Sequence, residues 1–119
     1  MKRVIVCGGR DYDDRDRCFE VLNELFPDKA IEIVSGHAAG ADSFGEVYAN
    51  ENGIKLTVFR PDWKQYGRAA GPIRNKAMLD YAVKETPVVV AFWDGKSKGT
   101  KNMIDLAEKV NAEVHVIPY

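Results

Sequence analysis

The segment PVVVAFW (87–93) is apolar from end to end, with no polar position on either side. Side chains of a strand alternate between its two faces, so a strand with one wet face shows alternation. A run without alternation is covered on both faces, as in a parallel sheet packed between helices. This segment therefore reads as the central strand of such a sheet. Four further apolar runs have strand length: RVIVC (3–7), IEIVS (31–35), KLTVF (55–59) and EVHVI (113–117). Helical patterns separate them. Asp13 or Asp14 can cap a helix running to about Phe26, with Cys18, Val21, Leu22, Leu25 and Phe26 on its apolar side. A second helix runs from about Ala41 to Asn52 and stops at Gly53. A third starts near Pro72, a residue suited to a first turn, and runs to about Lys84. A fourth covers about 101–110, and the polar stretch 60–71 reads as a long loop.

Five strands alternating with four helices predict an α/β fold. The expectation is a single Rossmann-like domain over residues 1–119, with a five-stranded parallel sheet in the order 3-2-1-4-5 and helices on both faces. Right-handed crossovers then put the switch point between strands 1 and 4, and ligands of such sheets bind at the carboxyl ends of the strands near it. The connections sort themselves accordingly. Those leaving carboxyl ends are GGRDY (8–12), GHAAGAD (36–42), RPDWKQYGRAAGP (60–72) and DGKSKGT (94–100). Those at the opposite edge, PDKA, NG, KET and NA, are short and plain. The asymmetry places a site on the first edge.

Each rich loop has a structural use and a ligand use. Gly8 and Gly9 permit either a tight turn or close backbone approach of a ligand. Arg10 and Asp11 add a cation and a carboxylate, which can pair with each other. Ser35, Gly36 and Gly40 precede a helix start whose free N–H groups favour an anion. Asp42 either caps that helix or accepts from ribose hydroxyls. His37 is a candidate acid or base. In the third loop Trp63 and Tyr66 can stack on a base, and Arg68 can meet phosphate. Gly71 and Asn75 flank Arg74 in GPIRNKAM, which sets Arg74 in the first turn of a helix, where a cation is unfavourable. An anion should offset that cost: Asp62 or a ligand phosphate. In the fourth loop Trp93, Asp94, Gly99 and Thr100 mix an aromatic, a carboxylate and an anion-binding turn, with Thr100 as the expected N-cap. The alternative for Trp93 is core at its strand end.

Bulk properties exclude several classes. A formal net charge of -1 gives no bulk attraction to nucleic acid or an anionic membrane. Cys7 and Cys18 have no metal-type spacing, and Cys7 sits in a strand pattern as a buried thiol. No signal peptide pattern is present, and no apolar segment approaches the roughly 20 residues of a membrane span. The expected location is cytoplasmic.

The motifs have a family counterpart. SGHAAGAD, with the alanine and glycine that follow it (35–53), resembles the glycine loop of the DNA-processing protein A family. GPIRNKAM (71–78) resembles the arginine-bearing helix start of the Lonely Guy phosphoribohydrolases, and GKSKGT (95–100) their glycine-threonine phosphate loop. With GGRDY and PDWKQYGRAAG, the set is similar to the small YspA-like branch of the SLOG superfamily, many of whose members are uncharacterised or phage-borne. The resemblance spans essentially the whole chain. It implies a Rossmann-like domain that senses, sequesters or processes nucleotide-derived ligands such as ADP-ribose or NAD derivatives. Lonely Guy enzymes hydrolyse nucleoside 5′-monophosphates with an arginine and a glutamate. Arg74 matches the arginine and Met78 the methionine that follows it, but the glutamate's position holds Met103. Asp94-Gly95 stands where that family has Gly-Gly.

The expected function is thus binding of a nucleotide-derived small molecule. Hydrolysis of its N-glycosidic or phosphate bond is the alternative, with Arg74, Asp94 and Asp42 as the candidate catalytic residues. DNA binding is a third reading, disfavoured by the charge. The residues require no cofactor and form no dedicated metal motif, although the carboxylates are compatible with Mg²⁺ held through ligand phosphates. A homodimer or higher homo-oligomer is compatible with the apolar last helix and strand.

Overall fold

A computed structural model describes residues 1–119. The strands are β1 (Lys2–Gly8), β2 (Ile31–Ser35), β3 (Lys55–Val58), β4 (Thr86–Trp93) and β5 (Glu113–Pro118). They form one parallel sheet in the order β3-β2-β1-β4-β5, as the alternation of elements predicts. The helices are α1 (Arg15–Leu25), α2 (Ala41–Glu51), the single turn α3 (Trp63–Tyr66), α4 (Ala70–Ala82) and α5 (Lys98–Lys109).

Strand alternation builds two cores. On one face Val88, Val90 and Phe92 join Val4, Val6 and Ile33 against Cys18 and Leu22 of α1 and Tyr48 and Ala49 of α2. On the other, Val89 and Ala91 join Ile5, Cys7 and Val34 against Met78 and Leu79 of α4 and Met103, Ile104 and Ala107 of α5. Every residue from Val88 to Phe92 is fully buried, which explains the unbroken apolar run. The middle of the sheet, however, belongs to β1. β4 lies beside it and is covered laterally by β5, so full burial identifies an interior strand rather than the central one.

Helix starts follow local capping chemistry. Asp14 caps α1, accepting from Arg17 N–H at 3.0 Å. The stretch 60–71 is not a plain loop. Asp62 caps α3 by accepting from Gln65 N–H at 3.1 Å, a 3₁₀ turn spans Gly67–Ala69, and α4 begins at Ala70 with Pro72 in its first turn. α5 begins at Lys98, three residues before the expected start, and its N-cap is Ser97 rather than Thr100. The cause lies upstream. Asp94 Oδ1 accepts from Lys96 N–H at 2.8 Å and Ser97 N–H at 2.9 Å, which folds the chain back directly after β4.

At the amino ends of the strands, Glu32 is 2% exposed and carries a polar network. Thr57 Oγ1 donates to Glu32 Oε2 at 2.7 Å, and Tyr81 Oη donates to the same oxygen. Arg3 Nε lies 3.3 Å and Lys55 Nζ 3.6 Å from Glu32 Oε1. The network ties β1, edge strand β3 and α4 to β2 at the edge opposite the rich loops.

Candidate functional site

The rich loops meet at the carboxyl edge and enclose a cleft of about 580 Å³. Of the residues singled out in the sequence, Gly8, Gly9, Arg10, Asp11, Asp42, Trp63, Arg68, Gly71, Arg74, Asn75, Gly99 and Thr100 line it. The end of β1, the start of α2, the α3–α4 segment and the start of α5 supply them.

Arg74 is the half-buried centre of this arrangement. Its Nη1 donates to Gly36 O at 2.5 Å and its Nε to Asn75 Oδ1 at 3.0 Å. A Cβ at position 36 would lie 2.8 Å from Nη1, so glycine is what lets the guanidinium reach the carbonyl. Because α4 begins at Ala70 rather than near Pro72, Arg74 falls in its second turn and not its first, and its guanidinium is held by a main-chain carbonyl rather than by an anion. Asp62, the expected protein carboxylate, is occupied at the cap of α3. Burial pushes the Arg74 pKa down, with Asp42 and Cys7 opposing. A guanidinium nonetheless stays charged at neutral pH.

Asp42 does not cap α2, whose cap position is Gly40 at φ +80°. It sits within the first turn and reaches back, Oδ2 accepting from Ala38 N–H at 3.4 Å. Only 4% of it is exposed. Burial pushes its carboxyl up to about 6, outweighing the Ala38 N–H and the Arg74 charge, which pull the other way. One cleft carboxyl thus changes charge close to neutral pH. Gly40 holds the turn ahead of it, because a Cβ there would strike Gly9 O and approach Arg10 O to 3.1 Å.

The mouth of the cleft is cationic and aromatic. Arg10, Arg68 and Lys98 join Arg74, against the two carboxylates Asp11 and Asp42. The Trp63 side chain is half exposed, with the Arg10 guanidinium 5.8 Å from its ring centroid. At the start of α5, Lys98 and Gly99 occupy first-turn positions whose N–H groups have no intrahelical acceptor. Asn75, 5% exposed, donates to Gly99 O at 3.2 Å and to Asn102 Oδ1 at 2.9 Å, which fixes α5 against α4.

Eight of the singled-out residues lie outside the lining, among them Tyr66, which is exposed on α3, and His37, whose Nδ1 lies 3.0 Å from Glu46 Oε2. Ser35 is buried behind the second loop, donating to Glu46 Oε2 at 2.7 Å and accepting from His37 N–H at 3.1 Å. Gly36 and Gly40 shape that loop rather than face the cleft. Asp62 caps α3. Trp93 is half-buried and donates Nε1–H to Ser97 O at 3.1 Å. Asp94, offered as a catalytic carboxylate, is held below the usual carboxylate range by the Ser97 and Lys96 N–H groups, its carboxylate committed to the turn. Conversely, Cys7, Ala38, Pro72, Met78, Ser97, Lys98, Asn102 and Met103 also line the cleft. Among these, Lys98 and Asn102 could have been found from the i, i+4 spacing of a helix begun at Ser97. Burial pushes the Cys7 thiol well up, so it is an inert wall. No three His, Cys, Asp or Glu side chains cluster closely enough to hold a metal ion. No helix is long and apolar enough to cross a membrane.

Comparison with known proteins places the chain in a family. The chain is 31% identical to the Gene 61 protein of Mycobacterium phage D29 over 121 residues, covering 96% of this chain and 94% of that protein. Among solved structures, DNA processing protein A from Streptococcus pneumoniae superposes with a TM-score of 0.76 at 19% identity. That match covers 99% of this chain but half of the other. The protein TM1055 superposes with a TM-score of 0.70 at 23% identity, covering 96% of this chain and 72% of the other. Both likenesses are of fold. Residues 2–66 match the YAcAr family, described as YspA, cpYpsA-related SLOG family, and together with the phage relative this shows that the chain belongs to that family.

Proposed function

We propose that the cleft binds a nucleotide-derived ligand, with its phosphate at Arg74 and the start of α5 and its base against Trp63. The observation that carries this reading is the half-buried Arg74 guanidinium lining the same cleft as Arg10, Arg68 and Lys98. A guanidinium fork and free helix N–H groups together suit phosphate oxygens. The exposed Trp63 face suits a base, and the volume suits a small molecule. The ligand class covers nucleoside phosphates and ADP-ribose or NAD derivatives, sensed or sequestered. The test is calorimetric titration of AMP, ADP, ADP-ribose and NAD into the protein and into Arg74→Ala. Loss of a charge-assisted contact is expected to weaken binding by about ten-fold to a hundred-fold or more. Far-UV circular dichroism should be unchanged. Unchanged affinity in the variant would refute the placement.

Turnover is a second reading, and Asp42 is the observation in its favour. It is a buried carboxyl that lines the cleft and titrates near 6, suited to holding a proton during hydrolysis. Chromatographic analysis of the titrated mixtures separates the readings, since binding alone leaves the nucleotide intact. A DNA-processing role is suggested by the fold of the Streptococcus pneumoniae protein. The net charge of -1 supplies no extended basic track for a polymer backbone.

A further inference from the structure

The first loop carries a carboxylate that is held from the far end of the chain. Asp11 lines the cleft and is exposed. An exposed aspartate left to itself samples several rotamers and gives a ligand little to recognise. Here Tyr119 Oη donates to Asp11 Oδ1 at 2.6 Å, across a separation of 108 residues. Tyr119 is itself anchored. Its backbone N–H donates to Trp93 O at 3.3 Å, and its ring meets Tyr12 edge-on at 4.8 Å between centroids. Tyr12 is 3% exposed and packs on Phe92, again at 4.8 Å. Gly9 makes room for the contact, because a Cβ there would overlap the Tyr119 hydroxyl and lie 2.8 Å from Asp11 Oδ1. Burial, then the hydrogen bond and charge of Asp11, push the Tyr119 phenol well above its ordinary range, so it remains a donor.

The other charged groups of the cleft leave Asp11 a specific task. Arg10, Arg68, Arg74 and Lys98 are donors only, suited to phosphate oxygens. Asp42 is buried and already accepts from Ala38 N–H. Asp11 is then the acceptor free to face a ligand, and it needs a donor there. An ionised phosphate carries none, whereas a sugar hydroxyl does. With Tyr119 on Oδ1, Oδ2 remains and its direction is set.

We propose that Tyr119 is a positioning residue that fixes Asp11 as the acceptor for a ribose hydroxyl, so that the cleft selects ribonucleotides over deoxyribonucleotides. The proposal rests on the nucleotide reading above. A site built to pair with a hydroxyl rejects the analogue lacking it, since its own polar group is left unpaired.

The test titrates AMP, 2′-deoxy-AMP, 3′-deoxy-AMP and IMP into the protein, Tyr119→Phe and Asp11→Ala. The protein should prefer AMP over at least one deoxy analogue by about ten-fold or more. Tyr119→Phe keeps the ring on Tyr12 and should keep the melting temperature. It should bind the disfavoured analogue as before and lose most of the preference, as should Asp11→Ala. Equal binding of AMP and both deoxy analogues, or a full preference retained in Tyr119→Phe, would overturn the proposal and leave nucleotide binding standing. Discrimination against IMP alone would overturn it too, assigning Asp11 to a base amine. Binding of none of the four would instead count against the nucleotide reading itself.

Discussion

Replacing Asp42 by Asn removes the one cleft carboxyl that burial raises. In the fold its pKa rises from 3.8 to about 6, so the native state binds the proton more tightly than the unfolded chain does. Between those values the native state holds more protons, and stability therefore falls as pH rises through the window. The full rise corresponds to about 3 kcal/mol, reached near pH 7 and constant above it. Asn is nearly isosteric and can still accept from Ala38 N–H. The Arg74 attraction is already contained in that rise, but the Asn amide buries an N–H2 group whose desolvation returns part of the gain. Asp42→Asn should therefore be more stable than the parent by about 1–2 kcal/mol at pH 8, with the two converging near pH 4. Urea unfolding followed by circular dichroism at pH 4, 5, 6, 7 and 8 measures this. The difference between the two proteins isolates Asp42 from the other carboxylates. A difference that stays flat with pH, or that favours the parent at pH 8, would refute the argument that burial dominates at this position.

Two other perturbations probe the scaffold. Gly40→Ala places a Cβ at φ +80° against Gly9 O and should cost about 2 kcal/mol or more in urea unfolding, while a cost under about 0.5 kcal/mol would contradict the close approach. Glu32 is raised by burial but lowered further by Tyr81, Thr57, Lys55 and Arg3, so its net pKa lies below the ordinary 4.5. Its contribution is thus present above pH 4.5 and lost on acidification, and Glu32→Gln should cost about 2 kcal/mol at pH 7 and clearly less near pH 2. An equal cost at both pH values would show that the charge is not what matters.

The fold was legible because its signals are local or periodic. PVVVAFW declared a strand buried on both faces, although not the central one that the unbroken run suggests, and the contrast between the GHAAGAD and NG connections declared which edge carries the rich loops. Positions set by main-chain geometry were not legible. SKGT offers two hydroxyls three residues apart as helix caps, and the Asp94 turn, which no periodicity reports, chooses Ser97. The partner of Arg74 escaped for a similar reason. Sequence offers side chains such as Asp62, whereas the actual acceptor is the Gly36 carbonyl, reachable only through a bare backbone. The same residues 60–71 concealed α3 because a four-residue helix has too few positions to show a period. Tyr119 was invisible because its contact with Asp11 spans nearly the whole chain.

The most direct measurement is a thermal-shift series with AMP, ADP, ATP, NAD, ADP-ribose and cyclic dinucleotides, each mixture then resolved by chromatography. A ligand at one hundred times its dissociation constant stabilises the fold by about 2.7 kcal/mol, a shift of several degrees for a domain of this size. At least one compound should raise the melting temperature of the protein and fail to do so for Arg74→Ala. Intact nucleotide would mark a binding protein, and a new product would mark a hydrolase. No shift with any of them would contradict the assignment of the cleft to a nucleotide-derived ligand.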